Sequence, residues 1–299
     1  MKEILVTGSS GLVGSRFVSL HQPKGELLTP SHQDLDISSK EAVLRYIKKH
    51  EPNVIINFAA YTNVDGAEVK EEKGQRSGQA WKINVEGARN LAEVAKKHGT
   101  FLIHISTDFV FPGTSKFPGP YNESDNPNEG DSDLIGWYAK TKLSAERALL
   151  IVGGDLAIVR ISFPFGNPNS EKDLTAKTRK VIELGYGIYS NQKITPTYIP
   201  DLVNAVAIVM ERKLTGIYHV ATNPVTTPYE FGRYFAKKSG IPGEIKEGSM
   251  PDFVKDSGKA PRPLIGGLNT KHTAKLLGIK FMTWQEAIDE FVGLLATNS

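Results

Sequence analysis

The chain contains no cysteine, so it can form no disulfide, thiolate metal site or thiol nucleophile, and any chemistry falls to hydroxyls, carboxylates, imidazoles, lysines or a borrowed cofactor. No apolar run approaches the ~18 residues that a membrane span requires. The opening Met1-Lys2-Glu3-Ile4-Leu5-Val6-Thr7-Gly8 reaches glycine too soon to hold the apolar core of a signal peptide. A cytoplasmic protein without a membrane partner is expected. Charge of one sign is also scarce: 36 Lys plus Arg against 33 Asp plus Glu leave +3 over 299 residues. The bases lie among acids, as in Glu71-Glu72-Lys73, so no nucleic-acid partner is expected. What is present is ordinary globular material, 39% apolar and 23% charged, enough for one large core or two coupled ones.

Through the first half, short β-branched runs alternate with amphipathic stretches, which predicts an α/β fold, a Rossmann-like doubly wound parallel sheet covered on both faces. The predicted strands are Glu3 to Thr7, Gly25 to Leu28, Asn53 to Phe58, Phe101 to Ser106 and Leu156 to Ile161. Ser38-Ser39-Lys40-Glu41 has capping-box spacing and opens a helix to about His50. A second helix spans Ala80 to His98, with an apolar stripe of Trp81, Val85, Ala88, Leu91 and Ala95, and ends at Gly99. Beyond about residue 162 helices dominate: Pro200 to Arg212, one opened by Thr227-Pro228-Tyr229-Glu230 and a last one opened by Thr283-Trp284-Gln285-Glu286. We therefore expect a dinucleotide-binding domain over 1–162 and, over 163–299, mainly a smaller C-terminal substrate lobe with segments returning to the first domain. The loops Lys70 to Gln79 and Pro118 to Asp133, rich in Gly, Pro, Ser and acids, are expected near the working face.

Gly8, Gly11 and Gly14 follow the first strand and open a helix, the order strand, Gly-x-x-Gly-x-x-Gly, helix. Glycine permits a tight turn, lets backbone N–H groups approach a pyrophosphate, and lets the helix pack close to the sheet with its positive end toward the anion. With 28 glycines a spacing can arise by chance, so the position after strand one is what carries the assignment. The tip of the second strand, Leu28-Thr29-Pro30-Ser31-His32, lacks the acid that would accept from a ribose 2′-hydroxyl. NADP (as NADPH) is thus preferred, with NAD as the other dinucleotide to consider. Arg16, Lys24 or His32 are candidate partners of the 2′-phosphate, and Asp36 before Ile37 suits the adenine edge.

Tyr138 and Lys142 lie four apart on a predicted helix and so share one face. A tyrosine with reference pKa near 10 donates poorly at neutral pH unless a cation stabilises its phenolate. Tyr189 with Lys193 and Tyr234 with Lys238 repeat the spacing, but only the first pair lies between strands four and five, downstream of Ser106-Thr107 at a strand's C-terminal end, the edge where such sheets bind ligands. His50 and His98 close helices, while His104 and His219 sit in apolar strands, where core or capping roles are expected. No His, Asp or Glu cluster has metal-ligand spacing, and Gly-x-Ser-x-Gly does not occur.

These residues, with others in the same order, resemble the dTDP-4-dehydrorhamnose reductase family of the extended short-chain dehydrogenase/reductases. The resemblance runs from Val6-Thr7-Gly8-Ser9-Ser10-Gly11-Leu12-Val13-Gly14 through Leu35-Asp36-Ile37 and Ile56-Asn57-Phe58-Ala59-Ala60-Tyr61-Thr62-Asn63-Val64-Asp65-Gly66-Ala67-Glu68. It continues with Ile83-Asn84-Val85-Glu86-Gly87, His104-Ile105-Ser106-Thr107-Asp108-Phe109-Val110-Phe111 and Tyr138-Ala139-Lys140-Thr141-Lys142. Thr195-Pro196-Thr197, Ala260-Pro261-Arg262-Pro263 and Leu268-Asn269-Thr270 complete it.

The resemblance implies that Thr107 polarises a carbonyl, that Tyr138 donates a proton, and that Lys142 binds the nicotinamide ribose and lowers the tyrosine's pKa. It implies cofactor contacts from Gly8, Ser10, Gly11, Leu12, Val13, Gly14, Asp36, Ile37, Ala59, Ala60 and Tyr61, and substrate contacts from Val64, Phe109 and Phe163. The implied substrate is a nucleotide sugar with a 4-keto group, and the implied assembly is a homodimer pairing the Ala80 and Tyr138 helices. The chain departs from the family where Phe109 replaces a usual tyrosine, where Ser162-Phe163-Pro164-Phe165 replaces a Ser-Trp-Val-Tyr type run, and where Asn191-Gln192-Lys193-Ile194 replaces Asp-Gln-x-Gly. A related nucleotide-sugar reductase is the nearest other reading. The β subunit of methionine adenosyltransferase, which resembles the same family, sets a third: a non-catalytic, NADP-binding regulatory subunit.

Overall fold

Alternate residues of the first strand, β1 (Lys2–Thr7), supply two different cores. In the computed structural model, which describes residues 2–21, 25–127, 135–250 and 259–297, Ile4 and Val6 face one way and join Val54, Ile56, Ile103, Val159 and Phe17. Leu5 faces the other way and joins Ile55, Leu102 and Ile158. This division follows from the two-residue period of a strand, and it requires helices on both faces of the sheet.

In chain order the elements of the first half are β1, α1 (Leu12–Leu20), β2 (Gly25–Leu28), α2 (Lys40–His50) and β3 (Val54–Asn57). A helical stretch follows, starting as α3 (Gln79–Trp81) and continuing as α4 (Ala88–His98), then β4 (Phe101–Thr107), α5 (Trp137–Val152) and β5 (Leu156–Ile161). The second half contains α6 (Leu174–Glu183), β6 (Ile188–Tyr189), α7 (Ile199–Arg212), β7 (Gly216–Val220), α8 (Pro228–Ser239), β8 (Glu247–Gly248), α9 (Lys271–Leu277) and α10 (Trp284–Thr297). Five strands match the sequence reading. The sixth, β7, extends the sheet beyond them through parallel pairing with β5, from Ala157 opposite Gly216 to Ile161 opposite Val220.

The parallel order is β2-β1-β3-β4-β5-β7. The chain moves outward from β1 to β2 and then reverses to β3, so a crevice opens beyond the C-terminal ends of β1 and β3, at Thr7 and Asn57. One face is covered by α1 and α7, the latter through Leu202, Val206 and Val209. The other is covered by α2, α4 and α5 through Val43, Ile47, Leu91, Ala95, Ala145 and Leu149. A separate aromatic cluster, Phe165, Tyr198, Phe231, Phe235, Trp284 and Phe291, joins α8 to α10 away from the sheet.

Local signals were read correctly in places and shifted in others. Thr227 and Glu230 form the expected reciprocal cap of α8, and Thr283 and Glu286 do the same for α10. At α2 the cap is Ser39, whose hydroxyl accepts from the Ala42 amide, because the Ser38 hydroxyl is spent on Asp36. The predicted Ala80 to His98 helix contains a π-helical stretch, Lys82–Gly87, and ends as expected at Gly99 with φ of +66°.

A buried polar network stitches the sheet to its cover. Arg160 of β5, 2% exposed, meets Glu146 of α5 with both ends of its fork: Nε donates to Oε1 at 3.0 Å and Nη2 to Oε2 at 2.7 Å. Its Nη1 faces His219 Nε2 at 3.3 Å. A guanidinium can only donate, so Nε2 accepts and Nδ1 carries the proton, which it gives to the Tyr121 carbonyl at 3.1 Å. His219 is thus a structural bridge from β7.

Candidate active site

The crevice at the β1/β3 reversal is a cleft of about 970 Å³, at the upper end of the range for ligand pockets. One end is the glycine turn. Gly8 has φ of +70°, and a Cβ there would lie 2.5 Å from the Ala59 nitrogen; at Gly14 it would lie 2.2 Å from the Gly8 carbonyl oxygen. Neither position can carry a side chain. Gly11 is the N-cap of α1 and has no side chain to cap it, so the amides at this helix start point at the cleft's edge with their positive dipole, a cradle suited to a pyrophosphate. Ser106 adds a buried hydroxyl that lines the cleft and has no protein partner. The turn and this hydroxyl fit a nicotinamide dinucleotide.

Of the residues expected at the cofactor, Gly8, Ser10, Gly11, Leu12, Val13, Gly14, Asp36, Ile37, Ala59, Ala60 and Lys142 line the cleft. Tyr61 is not among its lining residues. Its amide is committed to Asn84 Oδ1 at 2.8 Å, and its ring packs in the cluster beneath Phe109 and Tyr138. Among the partners considered for a 2′-phosphate, His32 lines the cleft with Pro30 and Ser31, whereas Arg16 does not; Lys24 lies outside the described residues. The nearest acid, Asp34, is occupied with Ser31, whose hydroxyl donates to it at 2.6 Å. Asp36 Oδ1 accepts from the Ser38 amide at 2.9 Å and hydroxyl at 2.7 Å. Burial pushes the Asp36 carboxyl up, but these two bonds with nearby His32 outweigh it and keep it below the usual range.

The other end of the cleft holds the expected chemical groups. Thr107 ends β4 and caps a turn of 3-10 helix, Asp108–Val110, by accepting from the Phe109 amide at 3.2 Å. Tyr138, on the first turn of α5, is 9% exposed, and its phenol lies by the Thr107 hydroxyl. Burial, and then the Asp108 carboxylate, push the Tyr138 phenol well above 10, with Thr107 opposing them. This corrects the expectation of a phenol acidified by Lys142. Lys142 Nζ instead donates to the Ile105 carbonyl at 2.8 Å and lies 3.2 Å from His104 Nε2, and burial brings the lysine down to about 8. Asp108 accepts from Ser162 at 2.7 Å; burial pushes its carboxyl up to about 6 against that bond.

Val64, Phe109 and Phe163 all face the same space. Phe109 meets Tyr138 edge-on at 6.2 Å and Phe163 at 5.8 Å. Phe163 has φ of +42°, a costly left-handed conformation for an aromatic residue, which turns the chain where it meets the cleft. The sequence reading assigned no role to Lys172, Lys177 and Arg262, three cations on the cleft wall, and gave His104 only a core or capping one. Arg262 pairs with Asp65 at 2.8 Å. No local spacing marks these cations, which come from segments some 90 residues apart. Neither Lys70 to Gln79 nor the described part of Pro118 to Asp133 lines the cleft; residues 128–133 lie outside the described residues. Glu72 folds the first loop back by accepting from the Gln79 and Ala80 amides, both at 2.9 Å.

The sequence profile described as the RmlD substrate binding domain matches residues 1–296. A dTDP-4-dehydrorhamnose reductase of Aggregatibacter actinomycetemcomitans is 29% identical over 96% of this chain and 97% of its own. The crystal structure of the dTDP-4-dehydrorhamnose reductase of Bacillus anthracis in complex with NADP superposes with a TM-score of 0.85 at 26% identity, covering 97% of this chain and 99% of that one. A dTDP-4-dehydrorhamnose reductase ortholog of Clostridium acetobutylicum gives 0.83 at 29% identity, covering 98% and 99%. With the sheet order, the glycine turn and a profile match of this length in agreement, the chain belongs to the RmlD substrate binding domain family, a group of short-chain dehydrogenase/reductase type.

Proposed function

We propose that the protein uses NADPH to reduce the 4-keto group of a dTDP-4-keto-6-deoxy sugar, the reaction that forms dTDP-L-rhamnose. The observation that carries this reading is one cleft running from a glycine cradle to the Tyr138 phenol and the Thr107 hydroxyl, which line it together. The cofactor, when bound, supplies the hydride for the carbonyl carbon. Gly8, Gly11 and Gly14 would hold its pyrophosphate, and Ser106 and Lys142 would face its other end. Tyr138 keeps its proton until negative charge develops on the substrate oxygen, then delivers it there, so no free alkoxide forms. A phenol held above its ordinary pKa stays fully protonated at neutral pH, yet an alkoxide is a stronger base still, so the transfer remains downhill. Thr107 orients the phenol and polarises the carbonyl. Lys172, Lys177 and Arg262 supply positive charge for a substrate bearing phosphates, and Val64, Phe109 and Phe163 give the apolar wall for a deoxygenated sugar.

Mixing the protein with NADPH and a panel of 4-keto nucleotide sugars tests the reading. Nicotinamide oxidation with a dTDP-linked 4-keto-6-deoxyhexose and recovery of dTDP-L-rhamnose are expected. Oxidation with a different nucleotide sugar would move the assignment to a related reductase. NADPH binding without oxidation on any member would leave the regulatory-subunit reading in its place.

Cofactor choice gives a second test. With Asp34 turned to Ser31 and His32 on the cleft wall, NADPH should bind more tightly than NADH. His32→Asp should weaken NADPH about tenfold or more by setting a carboxylate against the 2′-phosphate. Fluorescence titration reads both constants, and tighter binding of NADH by the unmodified protein would end the preference.

A further inference from the structure

We propose that Asn57 and His104 act as positioning residues for Lys142: Asn57 locks His104 in the tautomer with its proton on Nε2, and that N–H, aimed at the lysine nitrogen, loosens the lysine's hold on its own proton. This deepens the reading of Lys142 as part of a reductase site and rests on it for its use, although the tautomer itself does not.

The argument is a chain of forced choices. The Ala59 amide can only donate, and it donates to Asn57 Oδ1 at 3.1 Å; the Thr7 hydroxyl donates to the same atom at 2.6 Å. The oxygen of the carboxamide is therefore fixed, and its NH2 faces His104 Nδ1 at 3.0 Å. An amide NH2 has only hydrogens to offer, so Nδ1 accepts. That excludes both an imidazolium and the Nδ1–H tautomer, and leaves the ring proton on Nε2, which lies 3.2 Å from Lys142 Nζ.

A charged lysine has three donors and no lone pair, so it meets Nε2–H donor against donor. A neutral amine can accept from Nε2–H while still donating to the Ile105 carbonyl at 2.8 Å. The fixed imidazole thus favours the neutral form, and no water competes: His104 is 1% exposed and Lys142 2%.

The arrangement is built into the sheet. Asn57 and His104 are direct register partners on β3 and β4, and α5 lays Lys142 over the same point. Burial works in the same direction, lowering the lysine, and with the lysine's charge it holds the imidazole far below its ordinary value, so His104 does not itself titrate in the working range. The other buried titratable groups nearby are Asp108 in the turn after β4, Tyr138 and Glu146 on α5, and Arg160 on β5. Glu146 opposes the shift, but its carboxylate is bonded at both oxygens to Arg160.

The test uses the ligand-free protein and needs no turnover. Long-range proton–nitrogen correlation on histidine-labelled protein at pH 7, with the His104 signal assigned by its loss in His104→Gln, should show a neutral ring protonated at Nε2. A proton on Nδ1, or on both nitrogens, would overturn the proposal. Titration of the ε-carbon signal lost in Lys142→Met should give a midpoint near 8; a midpoint above 10 would also overturn it.

Asn57→Asp keeps an acceptor for Thr7 and Ala59 but offers His104 Nδ1 an acceptor where it had a donor. The ring proton should move to Nδ1, and the Lys142 midpoint should rise by at least one unit, tenfold in proton affinity. A tautomer change that left the midpoint still would show that His104 merely fills space. If Asn57→Asp does not fold, the two wild-type measurements decide alone. A protein with this tautomer and midpoint but no activity on any keto sugar would sink the proposed function and leave the pair intact.

Discussion

Tyr138→Phe should bind NADPH as tightly as the unmodified protein and turn over about 10²–10⁴-fold more slowly, the contribution of a positioned proton donor. The variant removes one oxygen and leaves the packing. The ring still meets Phe109 edge-on, and the residue is already almost enclosed. Stability and affinity should therefore move little while kcat falls, the pattern of an interaction made only as the transition state forms. Cofactor fluorescence separates binding from rate in a single preparation. A wild-type rate in this variant would remove Tyr138 from the chemistry altogether.

Glu146→Leu should destabilise the fold by about 3–5 kcal/mol, the cost of stranding a buried charge. The Arg160 guanidinium would keep only His219 Nε2 and the face of Phe111, whose ring centre lies 5.0 Å away. The loss concerns desolvation, not the attraction of the pair, and the distinction can be measured. In the double variant Glu146→Leu, Arg160→Met, where no charge remains to be buried, most of the stability should return. Urea unfolding of both variants compares them. A double variant no more stable than the single one would show that the cost arises from lost packing at Glu146. The single variant should also hold the Lys142 proton more weakly, since Glu146 raises the lysine's affinity for it.

Much of this architecture could be read from residues close together in the chain. The glycine turn spans seven residues and the tyrosine–lysine pair five, so helix and turn geometry alone bring them together. The repeated spacings differ once folded: Tyr189 lies on the two-residue strand β6, and Tyr234 and Lys238 both grip Asp289 on α10. What stayed hidden depends on register and burial. That His104 faces Asn57 is a fact about β3 against β4, and Lys172, Lys177 and Arg262 converge only in the folded chain. The sign of the Tyr138 shift could not be read from a lysine four residues on, because it depends on where the ammonium points and how dry the phenol is. Strand β7 was seen only as the apolar strand around His219 and not counted in the sheet, because its five residues begin exposed and become buried only beside β5. The resemblance placed Tyr61 at the cofactor, but its amide is drawn aside by Asn84.

One tie across the cleft constrains how its ligands come and go. Asn167, just after β5, donates to the Leu12 carbonyl at 2.8 Å and to Ser15 Oγ at 2.9 Å, while its own amide is anchored on Asp173 at 2.8 Å. The segment that follows β5 is thereby pinned to the helix that follows the glycine turn. The dinucleotide end behaves as a clamp with fixed jaws, since widening it would break both bonds at once. On the proposed function, an opening that admits the substrate while sparing these bonds would lie on the rim away from the glycine turn.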